Sequence, residues 1–203
     1  MTTTTRIRKS PAVRREEILT EALRLIGRRG FHAFTIRELS AACDLSQAGM
    51  LHYFSSKDVL LAAVIDQLEA SRETALADHA AACEERVGRG ESALAEFRQL
   101  LGAMMEHIVE DPDMARFVAV IQVEAVDPQH PAHNLFLGLE RLALAFYQRM
   151  LASTVEDPEA IASGLHAAMF GLVQQWVRQP GSFDLVDRWM TIVSALLPEP
   201  DRA

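Results

Sequence analysis

Gln47, Ala48 and Gly49 follow a serine that can cap a helix, Ser46, and precede Met50 and Phe54 at core-facing spacing. A glutamine amide donates and accepts at once, which suits adenine N6 and N7 in the major groove, and an alanine methyl suits the methyl of thymine. A base-reading helix needs small or polar residues on its first turn and an apolar opposite face. Groups suited to the sugar-phosphate rails stand nearby: Thr35, Arg37, Tyr53 and Lys57. Leu51 and His52 complete the same segment, and His52 can meet a phosphate or a base or simply face solvent. A bidentate contact from Gln47 would contribute about 1–3 kcal/mol of discrimination between bases. Phosphate contacts would set register and salt dependence without reading sequence. The competing reading is a helical hairpin of an ordinary bundle whose Gln47–Gly49 turn faces water.

Local signals position these residues. Thr35-Ile-Arg-Glu38 has the capping-box pattern, in which a threonine hydroxyl accepts from the third helical amide and the glutamate reaches back. Thr35 thus opens a helix with Ile36, Leu39 and Ala42 on one face, and its capped N-terminus is a potential phosphate site. Asp44 stands where the chain must turn, and aspartate tolerates the left-handed conformation. Ser46 caps the next helix, to about Tyr53, whose Leu45, Met50 and Phe54 side packs against Leu39, Ala42 and Ile26. Ser55-Ser-Lys-Asp58 resembles a second capping box, opening a long helix to about Arg86. Upstream, Pro11 suits a first helical turn. Ile18, Ala22, Leu25 and Ile26 recur at helical spacing, Gly30 can end that helix, and Phe31 and Phe34 follow as apolar plugs.

Five more helices are expected, over about 91–110, 112–126, 132–154, 158–178 and 183–197, separated by Pro, Gly and Asp. No stretch alternates long enough for a strand. The expected fold is all-α, about nine helices, divided into a polar basic arm (1–10), a three-helix helix-turn-helix DNA-binding domain (11–57) and a helical ligand-binding and dimerisation domain (58–203).

The net charge of −8 argues against nucleic acid until its distribution is considered. Residues 1–57 hold ten Lys/Arg against five Asp/Glu, and residues 58–203 hold ten against twenty-three. A basic head on an acidic body favours end-on docking to DNA. Among twenty basic residues only Lys9 and Lys57 are lysine. Cys43 and Cys83, without a CxxC, give neither a disulfide framework nor a zinc site. The amino-terminal MTTTTRIRKSP has no apolar core for a signal peptide, and no apolar run is long enough for a bilayer, so a cytoplasmic, DNA-associated protein without membrane contact is expected.

The leading helix ending in RRGF, the FTIRELSAACDLS stretch and MLHYFSSKDVLL together resemble the N-terminal domain of the TetR family of bacterial transcriptional regulators, over about residues 11–71. Beyond that segment the likeness is only of helicity and length. Gly49 stands where a hydroxyl residue is common in the family, and Leu51 where an aromatic is common. The resemblance implies a homodimer on a pseudo-palindromic double-stranded operator, released as a repressor by a small-molecule effector. It places dimer contacts on the last two helices, at Ile161, Gly164, Leu165, Ala168, Leu172 and Trp176, with Trp189, Ile192, Val193 and Leu196. It places an effector of unknown identity among the middle helices, where Met104, Met105, His107, Phe117, Gln122, Phe146 and Tyr147 are candidate lining. The competing functions are a helical enzyme or ligand carrier that keeps a DNA-binding head, and an effector-independent nucleoid-type binder. No catalytic motif, cofactor or metal is expected: His130 and His133 form only an HxxH without a carboxylate pair, with His166 elsewhere.

Overall fold

The computed structural model describes residues 10–197, in which the chain forms nine helices and no strand. The basic arm read over residues 1–10 lies, except for Ser10, outside the described residues. The helices are α1 (Pro11–Arg29), α2 (Ile36–Ala42), α3 (Gln47–Tyr53), α4 (Lys57–Gly88), α5 (Leu94–Glu110), α6 (Pro112–Glu124), α7 (His133–Leu151), α8 (Pro158–Arg178) and α9 (Leu185–Leu196).

Capping chemistry sets most of these boundaries. Ser10, Asp111, Asp157 and Asp184 each accept from an amide of the first turn, and proline opens α1, α6 and α8. At α4 the cap is Ser56, which accepts from Val59 N–H, and position three carries no glutamate. The capping-box reading of Ser55–Asp58 is therefore corrected to a simple serine cap one residue later. α7 is shorter than expected at both ends.

Two apolar clusters form. One gathers Ile18, Ile26, Phe34, Leu39, Met50 and Phe54 of the first three helices and their connections with Leu60, Leu61, Val64 and Ile65 of α4. Met114, Phe117, Ile121 and Ala125 of α6 and its C-terminal end join the same cluster. The packing of the head thus continues past residue 57 into α4 and α6. α1 packs chiefly on α6. A Cβ on Gly27 would lie 3.1 Å from the Phe117 backbone nitrogen, so glycine permits this close crossing. Arg24 adds an exposed ion pair to Asp113 at 2.9 Å, a small contribution. Ala42, expected in the core, is exposed, and Cys43 is buried in its place.

The second cluster is built from α4, α5, α7, α8 and α9 around Phe97, Leu101, Met105, Leu165 and Trp189. Trp189 is fully buried and donates its indole N–H to Leu101 C=O at 2.8 Å. Both cysteines are buried free thiols pushed up to about 11 by desolvation, which keeps them in the unreactive thiol form. Among the described residues no helix is long and apolar enough to cross a membrane.

Candidate nucleic-acid interface

α2 and α3 are locked together by the turn between them. Asp44 takes φ 53°, the left-handed conformation expected of it, and Leu45 N–H donates to Ser40 C=O at 2.8 Å. Arg14 on α1 donates to Cys43 C=O at 3.2 Å, tying the turn to the first helix. Ser46 accepts from Gly49 N–H at 3.0 Å and starts α3. A Cβ on residue 49 would lie 3.2 Å from the Ser46 hydroxyl, so the glycine leaves the cap unhindered.

Met50 points wholly inward, while Gln47, Ala48, Leu51 and His52 are exposed and Gly49 and Tyr53 are half-exposed. Leu51 is 47% exposed, a large apolar side chain offered to solvent on the outer face of a short helix. Ser46 and Arg37 are exposed as well, and Arg15 stacks over Phe54 at 4.9 Å. The surface combines an amide, a methyl, an aliphatic side chain and an imidazole on a two-turn helix, flanked by hydroxyls and guanidinium. That chemistry matches base edges and phosphates respectively.

Two expected phosphate ligands are engaged within the chain. Thr35 forms the full capping box: its hydroxyl accepts from Glu38 N–H at 3.1 Å and donates to Glu38 Oε2 at 3.0 Å, and its N–H donates to the same oxygen at 2.9 Å. These bonds, the hydroxyl's first, hold the Glu38 carboxyl below its ordinary range. The anion site at the start of α2 is thus filled by the chain's own carboxylate. Lys57 is corrected more strongly. Its ammonium donates to the C=O of Phe31 at 2.7 Å, of Phe34 at 2.9 Å and of His32 at 3.5 Å, using its three hydrogens. It also lies 4.4 Å from the Phe34 ring centroid and 4.8 Å from that of Phe31. Burial lowers its pKa, and the carbonyls and ring faces offset that cost. Lys57 therefore positions the connection between α1 and α2.

The expected effector residues divide. Met105 and Tyr147 are buried in the body, beside half-buried Met104 and Phe146. Tyr147 donates to the Met104 thioether at 3.6 Å, and burial raises its pKa. Phe97, Phe146 and Tyr147 form a trio of tilted and edge-on rings with centroids 5.2–6.4 Å apart. His107 is half-buried and presents Nε2 without a partner among the described residues. Gln122 is half-buried on α6. Phe117 is corrected: it belongs to the cluster under the head, where it fills the α1–α6 crossing. Two surface hollows, one along α1 beside Asp44 and one between α5 and α9, include none of the expected effector residues.

The expected dimer residues also divide. Leu165, Leu172, Trp189 and Val193 are buried in their own protomer and are corrected to core. The physical reason is the packing of α8 and α9 on each other and on α7 and α5, which consumes one side of each stripe. Gly164 is exposed, and Ile161, Ala168, Trp176, Ile192 and Leu196 are half-exposed.

Of the histidines considered for metal, His130 and His133 each commit Nδ1 to backbone, and His166 Nδ1 lies 3.8 Å from Glu140 Oε1. His130 Nδ1 accepts from Ala132 N–H at 3.2 Å, and His133 Nδ1 meets Ala125 C=O at 2.7 Å. Among the described residues no group of three or more His, Cys, Asp or Glu is placed to hold a metal ion.

With this geometry established, comparison with known proteins decides the family. The profile of the bacterial regulatory proteins of the tetR family matches residues 18–64, which span the helix-turn-helix and the start of α4. The HTH-type transcriptional regulator BetI of Rhizobium meliloti is 30% identical over 174 residues, 82% of this chain and 78% of that protein. The chain belongs to the TetR family. As a TetR-family protein it is a DNA-binding transcriptional regulator. An uncharacterized HTH-type regulator of Xanthobacter autotrophicus is 31% identical over 101 residues, and the matched segment spans about half the length of that relative, 48%, and 50% of this chain. The crystal structure of NalD, the secondary repressor of a multidrug efflux pump in Pseudomonas aeruginosa, shares the fold with a TM-score of 0.71 at 15% identity, covering 93% of this chain and 98% of that one. The TetR-family assignment extends the sequence resemblance, which rested on residues 11–71, across the acidic body.

Sequence reasoning missed Gly30, Phe31, Glu124 and His130 as a group. Phe31 N–H donates to Glu124 Oε2 at 2.7 Å across 93 positions, a separation with no local signature. The one available signal was Gly30 itself, since a glycine that ends a helix often marks a close approach as well as a cap.

Proposed function

We propose that this TetR-family regulator is a cytoplasmic homodimeric repressor that reads a pseudo-palindromic operator with α3 and is released by a small-molecule effector bound in the body. The reading rests above all on the exposed first turn of α3, Gln47 and Ala48, standing over a fully buried Met50 in a capped helix-turn-helix. Gln47 and Ala48 read bases, while Arg37, Ser46, Tyr53 and His52 contact the backbone. Leu51 and Gly49 lie against the groove, and the half-exposed Gly49 admits a close backbone approach. Thr35 acts as the cap that orients α2. The repressor sense is supported by the family and by NalD's description as a repressor. A role as an enzyme is disfavoured, because the curated relatives are named as transcriptional regulators.

Selection from a random duplex pool at moderate salt tests DNA reading directly. A strong palindromic consensus is expected, with affinity falling steeply as salt rises. Gln47→Ala is expected to weaken binding to that consensus by about 1–3 kcal/mol and to relax preference at one position per half-site, leaving the salt slope unchanged. Equal enrichment of all sequences would leave only a nucleoid-type binder.

For the dimer, the outer face of α8 offers Ala160, Gly164, Ala167 and Gly171 at three- and four-residue steps, all exposed. A Cβ at Gly164 or Gly171 would meet nothing within 4 Å of its own protomer. Such a stripe lets a second helix approach closely, with Ile161, Ala168, Trp176, Ile192 and Leu196 flanking it. Gly171→Leu is expected to leave the protomer folded and to weaken dimerisation by roughly tenfold or more, measured by sedimentation equilibrium. Unchanged self-association would move the interface elsewhere.

The effector region is read around Met104, Met105, His107, Phe146 and Tyr147, with Gln122 a further candidate on α6. Among the described residues Tyr147 donates to a thioether, a weak acceptor, so a ligand oxygen would improve its bonding. Effector binding relieves repression to the extent that the ligand favours the conformation that cannot bind DNA.

A further inference from the structure

The connection between α1 and α2 is gripped by three parts of the rest of the chain. Lys57 holds its carbonyls from the start of α4. Glu124, the last residue of α6, accepts from Phe31 N–H at 2.7 Å. His130, in the α6–α7 connection, packs edge-on to Phe31 and His32 with ring centroids 5.1 and 5.4 Å away. Gly30 takes φ 81°, and a Cβ there would collide with Glu124 Oε1, so the approach is as close as glycine allows. This connection leads directly to Thr35 and the start of α2. Its placement therefore sets the angle of the reading helices on the body.

The His130 side chain is wholly buried. Because Nδ1 accepts from Ala132 N–H, the proton of the neutral ring belongs on Nε2. Nε2 lies 3.9 Å from Glu124 Oε2 and has no hydrogen-bond partner among the described residues. Protonating Nδ1 would oppose two N–H donors and break the bond to Ala132. The resulting imidazolium would also draw on the Glu124 carboxylate that holds Phe31.

We propose that Glu124 and His130 are positioning residues for DNA binding, holding the head at its reading angle, and that protonation of His130 releases the hold so that operator binding weakens in mild acid. The proposal rests on the DNA-binding function stated above. The charged groups around the ring come from every neighbouring element: Glu124 from α6, Asp127 from its own connection, His32 from the α1–α2 connection and Asp58 from α4. Lys57 of α4 bears on Glu124, and His133 of α7 is bound to Ala125 C=O. Burial is the largest influence and lowers the His130 pKa; the three carboxylates oppose it and His32 adds to it. A histidine depressed in the latched state stabilises that state fully above the ordinary value of about 6.5, and the stabilisation is lost as pH falls through the depressed value.

The probe is a duplex enriched from a random-sequence pool by the wild-type chain at about pH 8, titrated by fluorescence anisotropy at constant ionic strength. A pool that yields no enriched duplex refutes DNA reading itself, separately from the latch. Wild-type affinity is expected to fall about tenfold between about pH 8 and about pH 5.5. His130→Asn keeps an acceptor for Ala132 but cannot take up the proton, and its profile is expected to lose this fall. Glu124→Gln keeps an acceptor for Phe31 and removes the charge that favours the imidazolium. Its midpoint is expected at lower pH than the wild type's, a displacement that a merely structural role would not produce. A wild-type slope retained in His130→Asn, or an unmoved midpoint in Glu124→Gln, overturns the proposal; should His130→Asn not fold, the Glu124→Gln midpoint alone decides.

Discussion

Trp189→Ala is expected to lower the free energy of unfolding by about 3–5 kcal/mol, the usual cost of emptying a large aromatic site in a packed core. The indole is fully buried among α5, α8 and α9, and its N–H is bonded to Leu101 C=O at 2.8 Å. Truncation removes the ring together with the indole's bond to that carbonyl, which keeps its place in the α5 helical ladder, so the lost packing dominates. The measurement is urea denaturation in a Gly171→Leu background, where self-association is weakened. A core role predicts that the loss persists there at every protein concentration. A loss confined to the dimerising protein would return Trp189 to the interface. The same experiment on Leu196, which stays half-exposed on α9, should give the converse result.

Lys57→Ala is expected to weaken DNA binding about tenfold at all salt concentrations and to cost about 1.5–3 kcal/mol of stability, the range for hydrogen bonds to a charged group. The ammonium closes the connection between α1 and α2 by holding the carbonyls of Phe31 and Phe34 against two ring faces. Without it the carbonyls must find water, and the connection is free to shift Thr35 and α2. A positioning role leaves the slope of log affinity against log salt unchanged, because no phosphate contact has been lost. A direct phosphate contact would instead reduce the slope by about one. Lys57→Arg discriminates further. A planar, forked guanidinium does not fit a pocket shaped for a compact ammonium, so arginine is expected to restore neither stability nor affinity. Rescue by arginine would favour the phosphate role.

Much of the reading head was legible because its determinants are local. Thr35 with Glu38, Asp44 and Ser46 each act within four residues of their position, and all three behave as their chemistry dictates. The exposure of Gln47 and Ala48 follows from the same spacing that buries Met50. Lys57 was misread because a lysine at a helix start looks the same in sequence whether its ammonium faces a phosphate or curls onto carbonyls 23 and 26 positions away. Phe117 was misplaced for a related reason. An aromatic on a helical stripe announces burial, but not which of two cores receives it.

The dimer stripe repeats that lesson on α8 and α9. Apolar residues run around a broad arc of both helices, and periodicity identified them without dividing them. Packing against α5 and α7 took Leu165, Leu172, Trp189 and Val193, and left Gly164, Trp176, Ile192 and Leu196 towards the outside.

Taken alone, the order of amino acids determined the helices, their caps, the reading turn and the contrast between basic head and acidic body, since each depends on neighbours within one or two helical turns or on charge summed along the chain. Tertiary structure decided which apolar side of each helix was covered, where the Lys57 ammonium found its partners, and that Glu124 and His130 reach the loop beyond Gly30. Those outcomes depend on burial and on contacts across tens of residues, and burial energy is non-directional: it drives apolar surface inward without specifying its partner.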